Sequence, residues 1–208
     1  MTLPTTTLEI TYVEAGPLPA DDPRLPLAHA AQLAQAIVAR IDADVAGRPT
    51  PCGDWDVVDV ARHVVGIFRR VAGAPSGADP HAVPVVPDIA LPDLADSLAE
   101  VAAEVHAAWT DPATLDRPID APWGTAPGAV CLLVWSCDVV VHAWDLARAL
   151  DLEVEWPPST ALLADVLRSG LPADGRDELP FGDVVAVAAD APAVERLVAW
   201  TGRDPAAV

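Results

Sequence analysis

Positive charge is scarce in this chain. Twelve Lys and Arg residues stand against 31 Asp and Glu, for a formal net charge of -19. An acidic excess of that size excludes nucleic-acid backbones and anionic membrane surfaces as partners, because both would be repelled. The charge is spread along the chain and reads as a solvated surface. Aromatic residues are also few, 5% against 52% hydrophobic residues overall. The core must therefore be built from Ala, Val and Leu, which suits helices packed closely through small side chains. Three cysteines without paired spacing exclude a disulfide framework. Cys131 and Cys137 fall inside an apolar run and are expected as buried thiols, whereas Cys52 precedes a helix in a loop and is expected to be accessible. The N-terminus has no basic stretch followed by an apolar one, so no signal peptide is expected. The best candidate for a membrane span is interrupted by Asp138, His142 and Asp145. The expectation is a soluble cytoplasmic protein.

What is present is helical periodicity separated by Pro-rich connections. The 208 residues suit one domain with a small appendage. Residues 1–25 are rich in Thr, Pro and Asp and are expected as a loosely ordered arm, with a short extended segment over 7–13. Apolar spacing predicts a first helix over 26–46. A second starts at Asp56, which can cap it, with Asp59 three residues on as the partner of a capping box. A third covers 92–109 and a fourth 129–150. Residues 153–208 are expected as an extension packed on the bundle, with a helix capped by Ser159, an extended stretch over 181–187 and a last helix over 191–200. The fold class expected is mainly α, a four-helix bundle over 26–152.

The chemistry is concentrated in the fourth helix. Asp138 and His142 are four residues apart, hence on one helical face, inside a run that a helix buries on most sides. Burying either group without a partner is costly. One divalent ion can satisfy both, since such ions take neutral imidazole nitrogen together with ionised carboxylate oxygen. His63, beside the apolar stripe of the second helix, is the third candidate ligand. The simpler readings are a core histidine bonded to a carbonyl and an Asp138 paired with Arg62 or Arg69. Asp145 and Arg148, three residues apart, are expected to pair across one turn. Trp123, in a Pro-rich connection, is expected as a pocket lid. Trp135, His106 and Arg62 are further candidates for lining the substrate pocket, and Cys52 is expected to play no catalytic part. The loops over 73–92 and 111–128 are expected to shape the pocket.

Three segments together resemble a known family. Thr50-Pro51-Cys52-Gly53-Asp54-Trp55-Asp56-Val57 leads into Ala61-Arg62-His63-Val64-Val65-Gly66. Val141-His142-Ala143-Trp144-Asp145-Leu146-Ala147-Arg148-Ala149 closes the fourth helix. Phe181-Gly182 and Arg196-Leu197-Val198-Ala199-Trp200-Thr201-Gly202-Arg203-Asp204-Pro205 close the chain. Over residues 26–205 the chain resembles the DinB-like bundle superfamily, in the branch of mycothiol-dependent maleylpyruvate isomerase. Within that branch it is similar to metal-binding proteins that carry a Trp-Asp-Leu-Ala helix.

The resemblance implies a four-helix bundle with a divalent ion, often zinc or nickel, held by a His on the second helix and by a Glu and a His four apart on the fourth. By motif these positions are His63, Asp138 and His142. Asp138 stands where the family has Glu and is one methylene shorter, a reach of about 1.5 Å. The ion is then reached by a backbone shift or a bridging water, or is absent. The implied function is a metal-dependent isomerase or transferase that uses a low-molecular-weight thiol such as mycothiol on a small electrophile. The alternatives are a metal-free enzyme of small-molecule biosynthesis using the same pocket, with Asp138 and His142 as an acid–base pair, or a non-catalytic ligand-binding or regulatory bundle. The composition permits a monomer or a homodimer.

Overall fold

In the computed structural model, which describes residues 6–207 apart from 15, 17, 20 and 178, the architecture starts from one very apolar helix. This helix, α4 (Gly128–Ala149), is buried along most of its length. It is long and apolar enough to cross a bilayer by length and composition alone, but 72% of its most apolar window is buried inside the protein. Three more helices complete the bundle: α1 (Arg24–Val38), α2 (Val57–Gly73) and α3 (Leu94–Ala108). α1 and α2 both pack against α4 and against α3, which makes the expected mainly α four-helix bundle. Its core is the expected mixture of Ala, Val and Leu, with Trp109, Trp135 and Phe68 as the largest wholly buried side chains.

The local signals account for the helix ends. The Asp56 carboxylate accepts the Asp59 N–H at 3.0 Å, capping α2 as expected. α1 stops at Val38, short of the expected residue 46. The Asp42 carboxylate accepts the N–H groups of Asp44 and Val45, offering the backbone a turn in place of another helical ladder. Ser159 does not cap the next helix, because its hydroxyl lies 3.1 Å from Nδ1 of His29.

Two small sheets decorate the bundle. β1 (Thr6–Leu8) pairs in parallel with β4 (Leu152–Val154), and β2 (Pro118–Ala121) pairs antiparallel with β3 (Gly124–Pro127). The residues expected as a loosely attached arm thus include a strand pairing, and Val13 is tied to α1 through Gln32 and His29. The hairpin β2–β3 occupies the connection expected as irregular loop, and the exposed Trp123 sits at its turn.

The C-terminal extension consists of α5 (Thr160–Gly170), α6 (Ala193–Trp200) and the chain around them, which packs on α4. Residues 181–187 form no strand. They run alongside the end of α6, with Gly182 N–H donating to Thr201 O and Val185 N–H to Ala199 O. The buried Arg176 guanidinium holds this region, donating to the carbonyls of Pro172, Gly182 and Trp200. Gly202 has φ +90 and lies against Gly182, where an added Cβ would fall 2.6 Å from the Gly182 Cα. Gly202→Ala should cost ~1–3 kcal/mol in backbone strain alone, and more from the overlap. A thermal melt of this variant checks it, and an unchanged midpoint would contradict the packing.

Candidate metal centre

α4 presents Asp138 and His142 one turn apart towards α2, where His63 meets them. The His63 and His142 rings are 4.8 Å apart between centroids and nearly perpendicular. Trp55, at the loop entering α2, packs its ring 4.8 Å from that of His63. Among the described residues, ligand atoms of His63, Asp138 and His142 all lie within 4.8 Å of one another. The three residues named from the sequence are therefore brought together.

The tautomers favour ligation. Nδ1 of His63 lies 2.7 Å from the Val85 carbonyl, which can only accept, so Nδ1 carries the proton and Nε2 keeps its lone pair. The loop carrying Val85 is held by two arginines of α2. Arg70 donates to the carbonyls of Pro80, Val83 and Pro84, and Arg62 donates to that of Ile89. Arg62, expected to line the pocket or to pair with Asp138, instead anchors this wall. Its nearest acid is Asp59, one turn back on α2.

On His142, Nδ1 lies 3.1 Å from Asp145 Oδ2 and Nε2 lies 3.4 Å from Asp138 Oδ1. Asp145 is wholly buried and receives both Nε (3.2 Å) and Nη2 (2.9 Å) of Arg203. The Asp145–Arg148 pair expected from spacing does not form. Arg148 stacks over Trp144 and donates to the Ala207 carbonyl, and Arg203, distant in sequence, takes its place. A carboxylate on the far nitrogen of an imidazole fixes the ring and its tautomer.

These residues fit a divalent ion. Ligands bound tetrahedrally at 2.0–2.2 Å are about 3.4 Å apart, which is the separation between His142 Nε2 and Asp138 Oδ1. The shorter Asp138 side chain thus reaches the distance that a shared ion requires, without a backbone shift. A carboxylate, the free Nε2 of His63 and the Nε2 of His142, whose proton an ion would displace, form a donor set suited to zinc or nickel, with room for further ligands.

Titration follows this geometry. Burial pushes the His63 imidazole down, helped by the neighbouring His142 charge, to about 4 from 6.5. Burial also opposes charge on His142, but the bonds to Asp138 and Asp145 outweigh it and raise that group well above the ordinary histidine value. Asp138 and Asp145 are held below the usual carboxylate range despite burial, chiefly through their bonds with His142. For His63 the folded value lies below the unfolded one, so the unfolded chain binds the extra proton between pH 4 and 6.5. Stability of the metal-free protein should therefore rise with pH across that window, at up to ~1.4 kcal/mol per unit from this group. His63→Gln should flatten the rise in denaturant titrations at stepped pH. An unaltered slope would contradict the burial of His63.

The other candidates lie elsewhere. His106 is exposed on α3, beside the buried Val105, and does not reach the site. Trp135 is buried, edge-on to Trp109 and to Trp123, one turn before Asp138 on α4. Trp123 is 47% exposed. Two surface grooves of about 400 and 480 Å³, one between the end of α1 and the start of α3 and one beside β4, include none of the metal donors. Two participants were missed by the sequence reading. Cys52 lies beside His142 and accepts from Arg203 Nη2 at 3.5 Å, and Arg203 has no sequence spacing that points to Asp145.

The family model described as mycothiol maleylpyruvate isomerase N-terminal domain matches residues 27–147, a span holding His63, Asp138, His142 and Asp145 but not Arg203. Two uncharacterized proteins from two strains of Mycobacterium tuberculosis are each 32% identical over 184 residues, covering 88% of this chain and 98% of theirs. The crystal structure of the mycothiol-dependent maleylpyruvate isomerase is 16% identical, with a TM-score of 0.47, and that of its histidine-to-alanine mutant is 17% identical, with a TM-score of 0.49. Each match covers 64% of this chain and 63% of the other, so it spans less than two thirds of the isomerase. By the family match over more than half its length, this chain belongs to the mycothiol maleylpyruvate isomerase N-terminal domain family.

Proposed function

We propose that the protein is a metal-dependent enzyme that uses a low-molecular-weight thiol of the mycothiol type to isomerise, or transfer to, a small electrophilic molecule. The observation that carries this reading is the donor set on α2 and α4: the free Nε2 lone pair of His63, with His142 Nε2 and the Asp138 carboxylate at a ligand's spacing. Membership of a family named for a mycothiol-dependent isomerase supports the choice of thiol. Three protein ligands leave a coordination position open, which is the arrangement of a catalytic site.

A divalent ion in this position supplies Lewis acidity, which lowers the pKa of a thiol or water that it binds. His63, Asp138 and His142 would hold it. The Val85 carbonyl keeps the proton on Nδ1 of His63, and Asp145 keeps it on Nδ1 of His142, so both rings present Nε2. Trp55 packs against one side of the His63 ring. The open side is that of Asp138, whose side chain is 32% exposed. We place the entry of thiol and substrate at that side.

The test is a thiol-dependent assay with the zinc-loaded protein and a small cis-unsaturated keto acid. Turnover that requires both thiol and metal, and that stops with a chelator, supports the proposal. Metal-independent turnover would move the function to an Asp138–His142 acid–base pair, and saturable binding without turnover to a binding protein.

A further inference from the structure

His142 stands between two donor sets, and only one of them lies in the site described above. On its Nε2 side are His63 and Asp138. On its Nδ1 side are Asp145 and Cys52, whose ligand atoms also lie within 4.8 Å of one another and of His142. Sulfur, imidazole nitrogen and carboxylate oxygen at that spacing form a competent site for zinc or cobalt. A neutral imidazole has one lone-pair nitrogen, so it can serve one side at a time as a neutral ligand.

The second set already holds a cation. The Arg203 guanidinium donates to both Asp145 oxygens and to Cys52 Sγ, and its side chain is only 10% exposed. It arrives from beyond the family-matched residues, carried on the turn that Gly202 forms against Gly182. Guanidinium is charged at any accessible pH and matches a carboxylate with two parallel donors. It fills the position that a metal ion would need, and it supplies the counter-charge that buried Asp145 requires.

We infer that Arg203 is a resident cation that closes the Cys52–His142–Asp145 set to metal and so assigns the ion to His63, Asp138 and His142. It acts through Asp145, and is therefore a positioning and selectivity residue. Without it, Asp145 is a buried carboxylate that keeps only His142, which it shares with Asp138, as a partner, and a divalent ion is the replacement at hand. The ion then binds Asp145 oxygen, His142 Nδ1 and Cys52 sulfur; the Nδ1 proton of His142 and the thiol proton of Cys52 pass to the buffer as the two bonds form, and the ring keeps a proton on Nε2, facing Asp138. The inference rests on the reading that the chain holds a divalent ion.

Cobalt(II) titration followed by electronic absorption, with no thiol added, tests it in the full-length chain. Wild type should bind one cobalt per chain without thiolate-to-cobalt charge-transfer absorption. Arg203→Met should show that absorption at an intensity of one thiolate per ion, and Cys52→Ala in the same background should remove it. Arg203→Lys, which keeps a cation, should resemble wild type. Arg203→Gln, which keeps donors but not charge, should resemble Arg203→Met and serves if the Met variant does not fold. A wild-type spectrum that already contains the thiolate band, or Met and Gln variants without it, would overturn the inference. Wild type that takes up no cobalt would instead sink the proposed function, while a thiolate band appearing on loss of Arg203 would still support the role assigned to Arg203.

Discussion

Asp145→Ala should lower the unfolding free energy by ~3–5 kcal/mol, the cost of breaking a buried ion pair from one side. Asp145 has no exposed surface, and it is the acceptor for two Arg203 donors and the partner of His142 Nδ1. Its loss strands a guanidinium that is barely exposed. Denaturant titration of the metal-free protein measures the loss. A double variant, Asp145→Leu with Arg203→Met, should recover much of it, because removing both charges removes the uncompensated one. The same Asp145→Ala change frees the His142 ring to rotate, and metal affinity should fall by roughly 10–100-fold, the usual effect of losing an outer-shell partner. A variant as stable as wild type would mean that the Asp145–Arg203 pair does not form.

His142→Ala should lose its metal by more than that factor. The change removes a ligand outright, and it leaves Asp138 without its nearest partner. The pair Asp138 and His63 is too few for a stable site, so metal content after gel filtration should drop to background. The substitution also has a pH signature in the metal-free protein. The folded value of His142 is raised, so its contribution to stability is full below about 6.5 and fades as pH rises through the folded value. His142→Ala should therefore flatten the alkaline limb of the stability profile while the His63 window at lower pH shifts only through the loss of His142's charge. Retention of stoichiometric metal by His142→Ala would contradict the ligand set.

Much of this was legible in the sequence because its signals are local. The spacing of Asp138 and His142 places both on one face of a helix whatever the rest of the chain does, and the Asp56 cap and apolar stripe of α2 fix which side His63 favours. Signals that depend on tertiary contact were not legible. Asp145 has Arg148 three residues away, and local spacing alone selects that partner. Packing sends Arg148 to Trp144 and the C-terminal carbonyls instead, and brings Arg203 in from the extension. The Val85 carbonyl that sets the His63 tautomer belongs to a Pro-rich loop and has no side-chain signature. His106 was misplaced because it neighbours the stripe position Val105, and on a helix adjacent residues face away from one another. The motif that contains Arg203 was recognisable, but its direction was not, since that depends on two glycines meeting across 20 residues of chain. Asp138 was the hardest position to judge by composition. Its shorter side chain reads as a deficit until the 3.4 Å separation from His142 is seen.

The measurement that tests the central claim most directly is the metal content of the purified, untagged wild-type protein by elemental analysis, beside Asp138→Glu. The account predicts close to one zinc or nickel per chain in wild type, held through dialysis. Asp138→Glu should gain no occupancy. A wild type that is empty, with an Asp138→Glu variant that fills, would contradict it and leave the pocket to metal-free chemistry.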